Sequence, residues 1–499
     1  MDEGVREGVD GRPLGQEGDP SGLDYIFHPR SVAVVGASTQ FGPAGMGAAF
    51  LLSIQDMGFE GGLYPVNPKH QEVLGLKCYP SLLDIPGPVD HVIFSIPVQA
   101  VLDVVEDCIA KGVKTMHFFT AGFSETGEEE GAEVERQVVQ RARQAGIRLI
   151  GPNCIGIYCP AAKLAFGPGS PRRPGPVGFL SQSGGNAADL LTIAAPRGIR
   201  FSKVISYGNA ADLNESDFLE YLAEDPETEI IGAYIEGVKD GRRFFRAMRR
   251  ASARKPLVIL KGGRTESGDR AAFSHTASLA GSLAVLRALI RQVGAVEVND
   301  LDELTDMLVI FRFFERPPAG RRVAIVGGGG GFSVYAADQV DEEGLKAPVL
   351  SQRVQEELRR FNPVAGTSVR NPVDTMAIMN PARLADTLRL VASDESVDVV
   401  LSHGGFGWGP GRVATAMGLD LSKLMEALVD ALVRAREAVR KPIAVVMYTP
   451  PLLEATQYSL RFQERCWQEG FPVFPSIPRA AKAIARMVAW REARDDLAR

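Results

Sequence analysis

Short, uninterrupted runs of apolar residues recur along this chain, and longer stretches of helical periodicity separate them. Ser31–Val35, Val177–Leu180 and Arg322–Val326 are examples, and each run is followed by a glycine-rich turn. A strand with one face in water alternates polar and apolar residues, whereas a strand that is covered on both faces does not. The pattern therefore predicts an α/β fold built from parallel sheets with helices on both faces.

Two segments rich in proline and glycine, 167–176 and 317–320, divide the apolar runs into three groups. The first group is typical of a Rossmann-like domain. The other two groups share one plan of strand, glycine turn and helix, which is typical of flavodoxin-like parallel-sheet domains. The predicted boundaries are a flexible tail over 1–22, the Rossmann-like domain over 23–160, and the flavodoxin-like domains over 172–315 and 320–499.

The charge distribution excludes some classes of partner. The formal net charge is −6, and no run of lysine and arginine is interleaved with aromatic residues, which argues against a nucleic-acid-binding protein. No apolar run approaches the ~18 residues that a membrane span needs. Residues 1–22 are acidic and glycine-rich, without the apolar core of a signal peptide. We therefore expect neither nucleic acid nor a membrane as a partner.

The five cysteines are scattered along the chain, and no two of them have CxxC spacing. An odd and low count argues against a disulfide framework and against a zinc site. We expect free thiols, no metal site and a cytoplasmic location.

The glycine-rich segment Gly36–Gly47 follows the first apolar run and precedes a helical stretch. A turn from strand to helix presents backbone N–H groups to phosphate oxygens, although the glycine spacing misses the strict dinucleotide fingerprint. The next strand ends in Asn67-Pro68-Lys69 instead of the acidic residue that binds a ribose. A lysine there suits an additional phosphate, as in coenzyme A or NADP. The alternative is a glycine turn for helix packing beside a surface lysine.

Two later turns have the same design. Ser181, Ser183, Gly184 and Gly185 lie between an apolar run and a helix of small residues, and five consecutive glycines, Gly327–Gly331, follow another apolar run. A helix N-terminus with unpaired N–H groups and a positive dipole end is a cradle for an anion. Five glycines are difficult to explain by packing, because each costs backbone entropy. The alternative is that both segments are flexible loops.

His275 stands among small and hydroxyl residues, which is unlike the apolar surroundings of a core histidine. We interpret it as a phosphorylatable imidazole on a loop. A phosphohistidine needs a neutral ring to attack and an acceptor for the other ring nitrogen. Glu236, at the end of a predicted buried strand, is the candidate acceptor. The alternatives are a histidine in a surface loop and an ordinary exposed acid.

Three other residues have reactive side chains. His117 lies in an apolar strand and is expected to be a core residue with its hydrogen bonds satisfied. His403 ends a predicted strand of the third group and is a candidate for lining a site. Cys154 has no histidine near it in sequence, so we do not expect a catalytic thiol.

Taken in order, these motifs resemble those of the NDP-forming acyl-CoA synthetases, which include the α subunits of ADP-forming acetate–CoA ligase and, more distantly, of succinyl-CoA synthetase. The resemblance extends from about Ile26 to the C-terminus. The motifs that carry it are Val35–Ser38, Tyr64–Lys69, Ala121–Glu125, Gly151–Cys154, Ser181–Gly184, Gly208–Asp212, Glu236-Gly237, Ser274–Thr276 and Asn371–Asp374.

The resemblance implies a CoA-binding domain followed by two ligase domains. It implies that His275 is phosphorylated, that Glu236 orients it, and that helices beginning after Ser183 and near Gly330 oppose each other across a phosphate. The residues implied for coenzyme A are Gly36, Ala37, Ser38, Asn67, Pro68, Lys69, Ser95, Ile96, Pro97 and Asn153. The residues implied for phosphate are Ser181, Ser183, Gly184, Gly185, Gly329, Gly330 and Gly331.

In this family an acyl-CoA and phosphate give an acyl phosphate, the histidine takes the phosphoryl group, and ADP receives it. The chain has no segment that resembles the ATP-grasp domain of the family. We therefore expect ATP or ADP with Mg²⁺ on a separate β subunit, a small carboxylic acid or acyl-CoA as substrate, and an oligomer. The alternatives are a CoA-binding regulatory protein without turnover and, less favoured, an NADP-dependent oxidoreductase.

Overall fold

The computed structural model describes residues 23–38, 46–268, 270, 282–362, 367–375, 380–404, 418, 420–449 and 453–497. These residues form two compact units. One unit contains the described residues up to Asn299 except 193–199, and the other contains 193–199 and the described residues from Asp300 onward.

The first unit contains two sheets, of which the first is entirely parallel with strand order β2-β1-β5-β6-β7. All five residues of β1 are buried, as its apolar run predicts. The strands are β1 Ser31–Val35, β2 Gly62–Val66, β3 Glu72–Val73, β4 Leu76–Lys77, β5 His91–Phe94, β6 Thr115–Phe118 and β7 Arg148–Ile150, with β3 and β4 forming a separate hairpin. The helices are α1 Asp24–Phe27, α2 Met46–Met57, α3 Val101–Lys111 and α4 Glu129–Gln144.

The second sheet of this unit has strand order β13-β12-β11-β9-β10-β8, parallel except for β8. Its strands are β8 Gly156–Tyr158, β9 Val177–Ser181, β10 Phe201–Ser206, β11 Ile230–Ile235, β12 Leu257–Lys261 and β13 Val296–Val298. Its helices are α5 Gly184–Ala194, α6 Glu215–Glu224, α7 Gly241–Arg254 and α8 Leu283–Val293. Strand β8 falls inside the predicted Rossmann-like domain, but it pairs antiparallel with β10 at the edge of this second sheet.

The second unit contains a sheet of order β15-β16-β14-β17-β18-β19, parallel except for the pairing of β15 with β16. Its strands are β14 Val323–Gly327, β15 Ser368–Val369, β16 Val373–Asp374, β17 Val399–Gly404, β18 Ile443–Met447 and β19 Val473–Phe474. Its helices are α9 Leu301–Phe313, α10 Gly330–Glu342, α11 Gln352–Arg359, α12 Pro381–Ser393, α13 Leu421–Ala438, α14 Leu453–Gln468 and α15 Ile477–Leu497. The predicted α/β fold class with parallel-sheet domains is confirmed.

Each of the three large sheets has a switch point, where the connections from two neighbouring strands run in opposite directions across the sheet. In the first sheet this point lies between β1 and β5, in the second between β9 and β11, and in the third between β14 and β17. The loops after such neighbouring strands diverge to opposite faces, which leaves a crevice at the carboxyl ends of the strands. The glycine-rich turns singled out in the sequence follow β1, β9 and β14.

A short segment after β10 fastens the two sheets of the first unit together. The amides of Asn209 and Ala211 donate to the carbonyls of Pro152 and Gly151, at 3.0 and 2.9 Å. Asp212 accepts bonds from Arg148 Nε at 2.8 Å and from the amide of Leu149 at 3.2 Å. The motifs Gly208–Asp212 and Gly151–Cys154 therefore form a joint that fixes the carboxyl edge of one sheet against the other.

Two histidines lie in the core of the first sheet. His91 Nδ1 is 2.8 Å from Thr115 Oγ1, and His117 Nε2 is 3.1 Å from the carbonyl oxygen of Cys154. Burial, with a smaller contribution from His117, lowers the pKa of His91 to about 3, and burial lowers the pKa of His117 to about 4. His117 is thus a satisfied core residue, as its apolar strand predicts.

These two histidines predict a loss of stability in mild acid. The unfolded chain protonates them near their ordinary pKa of 6.5, whereas the folded chain keeps them neutral down to about 4. Because the unfolded state binds more protons in that window, the free energy of unfolding falls as pH drops from 6.5 towards 4. His117→Gln keeps an N–H donor for Cys154 and removes one titrating group. Its free energy of unfolding should therefore fall less steeply with decreasing pH, which urea denaturation at several pH values measures. Equal slopes for both proteins would contradict this account.

Candidate functional site

A cleft of about 790 Å³ lies at the switch point of the first sheet. It is bounded by the turns that follow β1, β2 and β5. Eight of the residues predicted to bind coenzyme A line it: Gly36, Ser38, Asn67, Pro68, Lys69, Ser95, Ile96 and Pro97. The structure therefore brings together residues from three separate segments of the sequence.

Gly36 is the position where two of these turns approach most closely. Its φ is +90°, and a Cβ atom built on it would lie 2.1 Å from the carbonyl oxygen of Ser95 and 2.8 Å from Cγ2 of Ile96. Gly47, near the start of α2, is close-packed as well, since its Cβ would lie 2.7 Å from the Gly36 carbonyl oxygen. Only glycine fits at Gly36, and its absent side chain leaves backbone at the floor of the cleft.

Asn67 joins two walls of the cleft. Its Nδ2 donates to the carbonyl oxygen of Ala37 at 2.7 Å, and its Oδ1 accepts from the amide of Lys69 at 2.9 Å. Ala37 itself is buried behind the wall, so it shapes the cleft and does not line it. The turn that Asn67 fixes leaves Lys69 exposed at the cleft.

A second cavity of about 640 Å³ shares Ser95–Pro97 with the cleft and extends to the N-terminus of α5. Asn153, the remaining residue predicted to bind coenzyme A, lines this cavity together with Ser183–Gly185. Its other lining residues are Phe119, Thr120, Ala121, Cys154 and Ile155, so no charged side chain of the described residues borders it. The two spaces are therefore neighbours on either side of Ser95–Pro97.

The turn before α5 is organised by two serines with different roles. Ser181 is fully buried, and its hydroxyl donates to the carbonyl oxygen of Ser183 at 2.7 Å and accepts from the Ser183 amide at 3.2 Å. Ser183 Oγ accepts from the amide of Asn186 at 3.3 Å, as a helix cap does. Gly184 and Gly185 open the helix beside the cavity, where the first N–H groups of a helix have no intrahelical partner. Ser181 therefore builds the turn, and its predicted contact with phosphate stays a prediction.

Glu236 follows β11 directly and is 6% exposed. The side-chain oxygen of Gln182 accepts from the amides of Glu236 and Gly237, the latter at 2.9 Å, and Lys261 Nζ donates to the Glu236 carbonyl oxygen at 2.6 Å. The backbone at this residue is thus held on both sides. One carboxylate oxygen, Oε2, is buried and has no hydrogen-bond partner among the described residues. A buried acceptor of this kind is expected to meet a donor.

Helix α10 starts at the crevice of the third sheet, after β14. Gly329 has a φ of +104°, and its amide donates to Asp374 Oδ1 at 2.8 Å. Gly330 and Gly331 form the first turn of the helix. Three buried polar atoms around this start have no hydrogen-bond partner among the described residues: Ser333 Oγ, Thr375 Oγ1 and His403 Nε2. They surround the turn that the sequence predicts as an anion cradle.

His403 lies beneath the glycine turn. A Cβ on Gly327 would lie 2.0 Å from His403 Nε2, and the imidazole packs against the ring of Phe332 at 4.7 Å between centroids. Burial lowers the pKa of His403 to about 4, so the ring is neutral at physiological pH. The candidate lining residue is therefore a buried support of the turn.

Two further sequence candidates are Cys154 and His275. Cys154 is buried, its Sγ lies 3.7 Å from the carbonyl oxygen of Phe118, and burial raises the pKa of its thiol, which opposes formation of a thiolate. His275 lies outside the described residues, and its role stays a prediction. Gln182, Asp374 and Asn186 hold the site together, and the sequence analysis assigned none of them a role, although Gln182 and Asp374 fall inside quoted motifs.

Within the described part of the chain, no group of three or more histidine, cysteine or acidic residues is arranged to hold a metal ion. A search of the same residues finds no helix with the length and apolar character of a membrane span.

Three family models match the chain in succession. A CoA binding domain matches residues 30–160, a succinyl-CoA ligase like flavodoxin domain matches 174–311, and a Ligase-CoA domain matches 323–475. Together they cover most of the chain, and each contains most strands of one of the three large sheets.

Curated relatives agree with these models. The α subunit of ADP-forming acetate–CoA ligase I of Pyrococcus furiosus is 36% identical over 478 residues, which cover 94% of this chain and 97% of the relative. The α subunit of ligase II of the same organism is 42% identical over 76% of this chain and 82% of its own length. The chain spans 54% of the longer ADP-forming acetate–CoA ligase I of Archaeoglobus fulgidus, at 40% identity.

A solved structure shares the fold over nearly the whole chain. The acetyl-coenzyme A synthetase 1 of Ca. Korarchaeum cryptofilum, in complex with phosphate and ADP, superposes with a TM-score of 0.80 at 31% identity, covering 95% of this chain and 97% of that one. The fold and the matched models define an acid–thiol ligase with a CoA-binding domain. The chain belongs to the NDP-forming acyl-CoA synthetases, the family of the α subunits of ADP-forming acetate–CoA ligase.

The close approach at Gly36 predicts an unequal response of two glycines. Gly87 has a φ of +94° with nothing within 4 Å of a built Cβ, so Gly87→Ala suffers backbone strain alone, about 1–2 kcal/mol. Gly36→Ala adds a clash with Ser95, and its free energy of unfolding falls by more than that of Gly87→Ala. Urea denaturation of the two variants measures the difference. Equal losses of unfolding free energy would show that the turns at Gly36 and Ser95 are not in close contact.

Proposed function

We propose that this chain is the CoA- and phosphate-binding subunit of an NDP-forming acid–CoA ligase, acting through an acyl phosphate and a phosphohistidine at His275. In the ATP-forming direction, phosphate attacks the thioester carbon and CoA leaves as the thiol. A ring nitrogen of His275 then attacks the phosphorus of the acyl phosphate and releases the carboxylate. ADP takes the phosphoryl group from the histidine to give ATP. The single observation that supports this most strongly is the buried, unpartnered oxygen of Glu236.

The proposed site of coenzyme A is the cleft of the first sheet together with the second cavity. Lys69 lines the cleft and supplies positive charge for the phosphates, and the turn at Gly36 offers backbone. Asp103 and Asp107 of α3 line the same cleft. Ser95–Pro97 border both spaces, so the pantetheine arm would pass them on the way to the second cavity. The neutral lining of that cavity suits the acyl group of a small carboxylic acid, because a second carboxylate would lose its hydration there without a cationic partner.

The N-terminus of α5 is the proposed phosphate site of this unit. Gly184 and Gly185 place helix N–H groups at the far end of the cavity, where phosphate would meet the thioester. Ser183 caps the helix and borders the same space, whereas Ser181 supports the turn from behind. Gly329–Gly331 at the start of α10 are proposed as a second anion site on the other unit.

Glu236 is the proposed orienting carboxylate for His275. A carboxylate that accepts the N–H of one ring nitrogen leaves the other nitrogen free, in a neutral ring, to attack phosphorus. It also stabilises the positive charge that the ring gains in the phosphohistidine. The free Oε2 of Glu236 is a buried acceptor available for this bond.

The nucleotide is proposed to bind elsewhere. No part of the sequence resembles an ATP-grasp domain, and the chain spans only about half of a longer relative. We therefore propose a separate ATP-grasp β subunit that holds ATP or ADP with Mg²⁺, and hence a hetero-oligomer. The five free thiols support a cytoplasmic location, and 23–160, 172–315 and 320–499 remain the proposed domain limits.

The alternative, a regulatory protein that binds CoA without turnover, is less favoured. The curated relatives at 36% and 42% identity are named as ligase subunits. A binder would also have no use for a buried carboxylate beside a phosphate-binding helix.

Substitution of the two proposed catalytic residues separates chemistry from binding. His275→Ala should abolish acid-labile incorporation of radiolabelled phosphate from an acyl-CoA mixture and leave CoA affinity unchanged. Glu236→Gln should slow incorporation by more than roughly tenfold, because orientation and charge support are both lost. Glu229→Gln, an exposed acid at the opposite end of β11, is the matched control. Persistent labelling of His275→Ala would refute the mechanism.

Lys69→Ala tests the position of coenzyme A. Loss of one contact between lysine and phosphate should weaken CoA binding by about tenfold, and the difference should shrink as salt screens the charge. Lys77→Ala removes an exposed lysine of the same domain that lies outside the cleft, and it should bind CoA normally. Calorimetric titration measures both, and an unchanged dissociation constant for Lys69→Ala would place CoA elsewhere.

A further inference from the structure

Tyr234 lies on β11, two residues before Glu236. Side chains two residues apart along an extended strand point to the same face of the sheet. Tyr234 is half-buried while its neighbours Ala233 and Ile235 are in the core. Its hydroxyl is therefore placed on the same side as the carboxylate proposed to orient His275.

The Tyr234 hydroxyl lies close to Glu236 and to helix α5. Burial contributes most to raising the pKa of Tyr234, and the nearby Glu236 carboxylate raises it further. The side chain of Asn186 acts in the opposite direction, so both Asn186 and Glu236 are near the hydroxyl. Asn186 lies in the first turn of α5, where its amide donates to the capping Ser183. The Tyr234 hydroxyl is thus placed between the proposed phosphate helix and Glu236.

The neighbouring strand leaves space for this pair. Gly262 follows β12 and stands beside Glu236, because Ile235 is paired with Lys261 in the sheet. A Cβ on Gly262 would lie 2.4 Å from the Tyr234 hydroxyl oxygen and 3.1 Å from Cγ of Glu236. Any larger residue would displace both side chains, so the glycine is part of the same arrangement.

We infer that Tyr234 is a positioning residue for phosphoryl transfer: held by Asn186, its hydroxyl fixes the Glu236 carboxylate so that the free oxygen faces the incoming imidazole. The backbone of Glu236 is already held by Gln182 and Lys261. The remaining freedom is in the side-chain torsions, and a hydrogen bond to the second oxygen removes it. This inference rests on the proposed function, since it gives Glu236 the orienting role.

The test is Tyr234→Phe, with Tyr158→Phe as the matched control. Both substitutions remove a hydroxyl from the same sheet, and Tyr158 donates to the carbonyl oxygen of Pro171 at 2.6 Å, away from Glu236. Tyr234→Phe should slow phosphate incorporation by roughly tenfold, the scale expected when a reacting group loses its alignment. CoA affinity should not change. Tyr158→Phe should incorporate phosphate at the unaltered rate.

A double substitution distinguishes positioning from general damage. If Tyr234 acts through the Glu236 carboxylate, Tyr234→Phe should cause no further loss in a Glu236→Gln background. Asn186→Ala, which leaves Tyr234 in place, should give a smaller loss of the same kind. It provides the test if Tyr234→Phe does not fold.

Several results would overturn the inference. One is an unaltered rate in Tyr234→Phe, and another is a loss that adds fully to that of Glu236→Gln. If Tyr234→Phe does not fold, an unaltered rate of phosphate incorporation in Asn186→Ala would also overturn the inference. A full rate in Glu236→Gln would instead refute the proposed role of Glu236, so failure of the proposed function is distinguishable from failure of this inference.

Discussion

The structure depends on close contacts between neighbouring segments at the carboxyl edges of its sheets. In the first sheet, a Cβ on Gly36 would lie 2.1 Å from the Ser95 carbonyl oxygen, and in the third, a Cβ on Gly327 would lie 2.0 Å from His403 Nε2. In the second sheet the corresponding contact is polar, with the Gln182 side chain bonded to the amides beyond β11. Each contact lies at a point where strand order reverses, and there the loops diverge and leave a crevice.

At two of these edges, buried polar atoms without a hydrogen-bond partner indicate where a ligand or a loop binds. Glu236 Oε2, Ser333 Oγ and His403 Nε2 are all buried without a partner among the described residues. Leaving such a group unsatisfied costs about 1–3 kcal/mol, which folding alone does not recover. A ligand or a loop that supplies the missing donor or acceptor offsets this free-energy cost. Glu236 is the clearest case, because its backbone is held on both sides while one carboxylate oxygen stays free.

Local sequence patterns predict much of this fold and part of the site. Continuous apolar runs indicate the buried parallel strands, and the glycines after β1, β9 and β14 mark the crevices. What the sequence does not reveal depends on contacts between distant residues. Strand β8 is three residues long, and only its pairing with β10 assigns it to the second sheet. The use of the Ser181 hydroxyl within its own turn, and the contacts of Tyr234 with Asn186 and Glu236, follow from side-chain geometry that spacing does not encode.

The central claim is that this chain alone performs the half-reaction from acyl-CoA and phosphate to a phosphorylated histidine. The most direct measurement is the intact mass of the purified chain after incubation with phosphate and a panel of acyl-CoAs, with no nucleotide present. The account predicts an acid-labile gain of one phosphoryl group per chain, accompanied by free CoA thiol and discharged when ADP and a β subunit are added. Bound CoA with no phosphoryl adduct on the chain alone would contradict it.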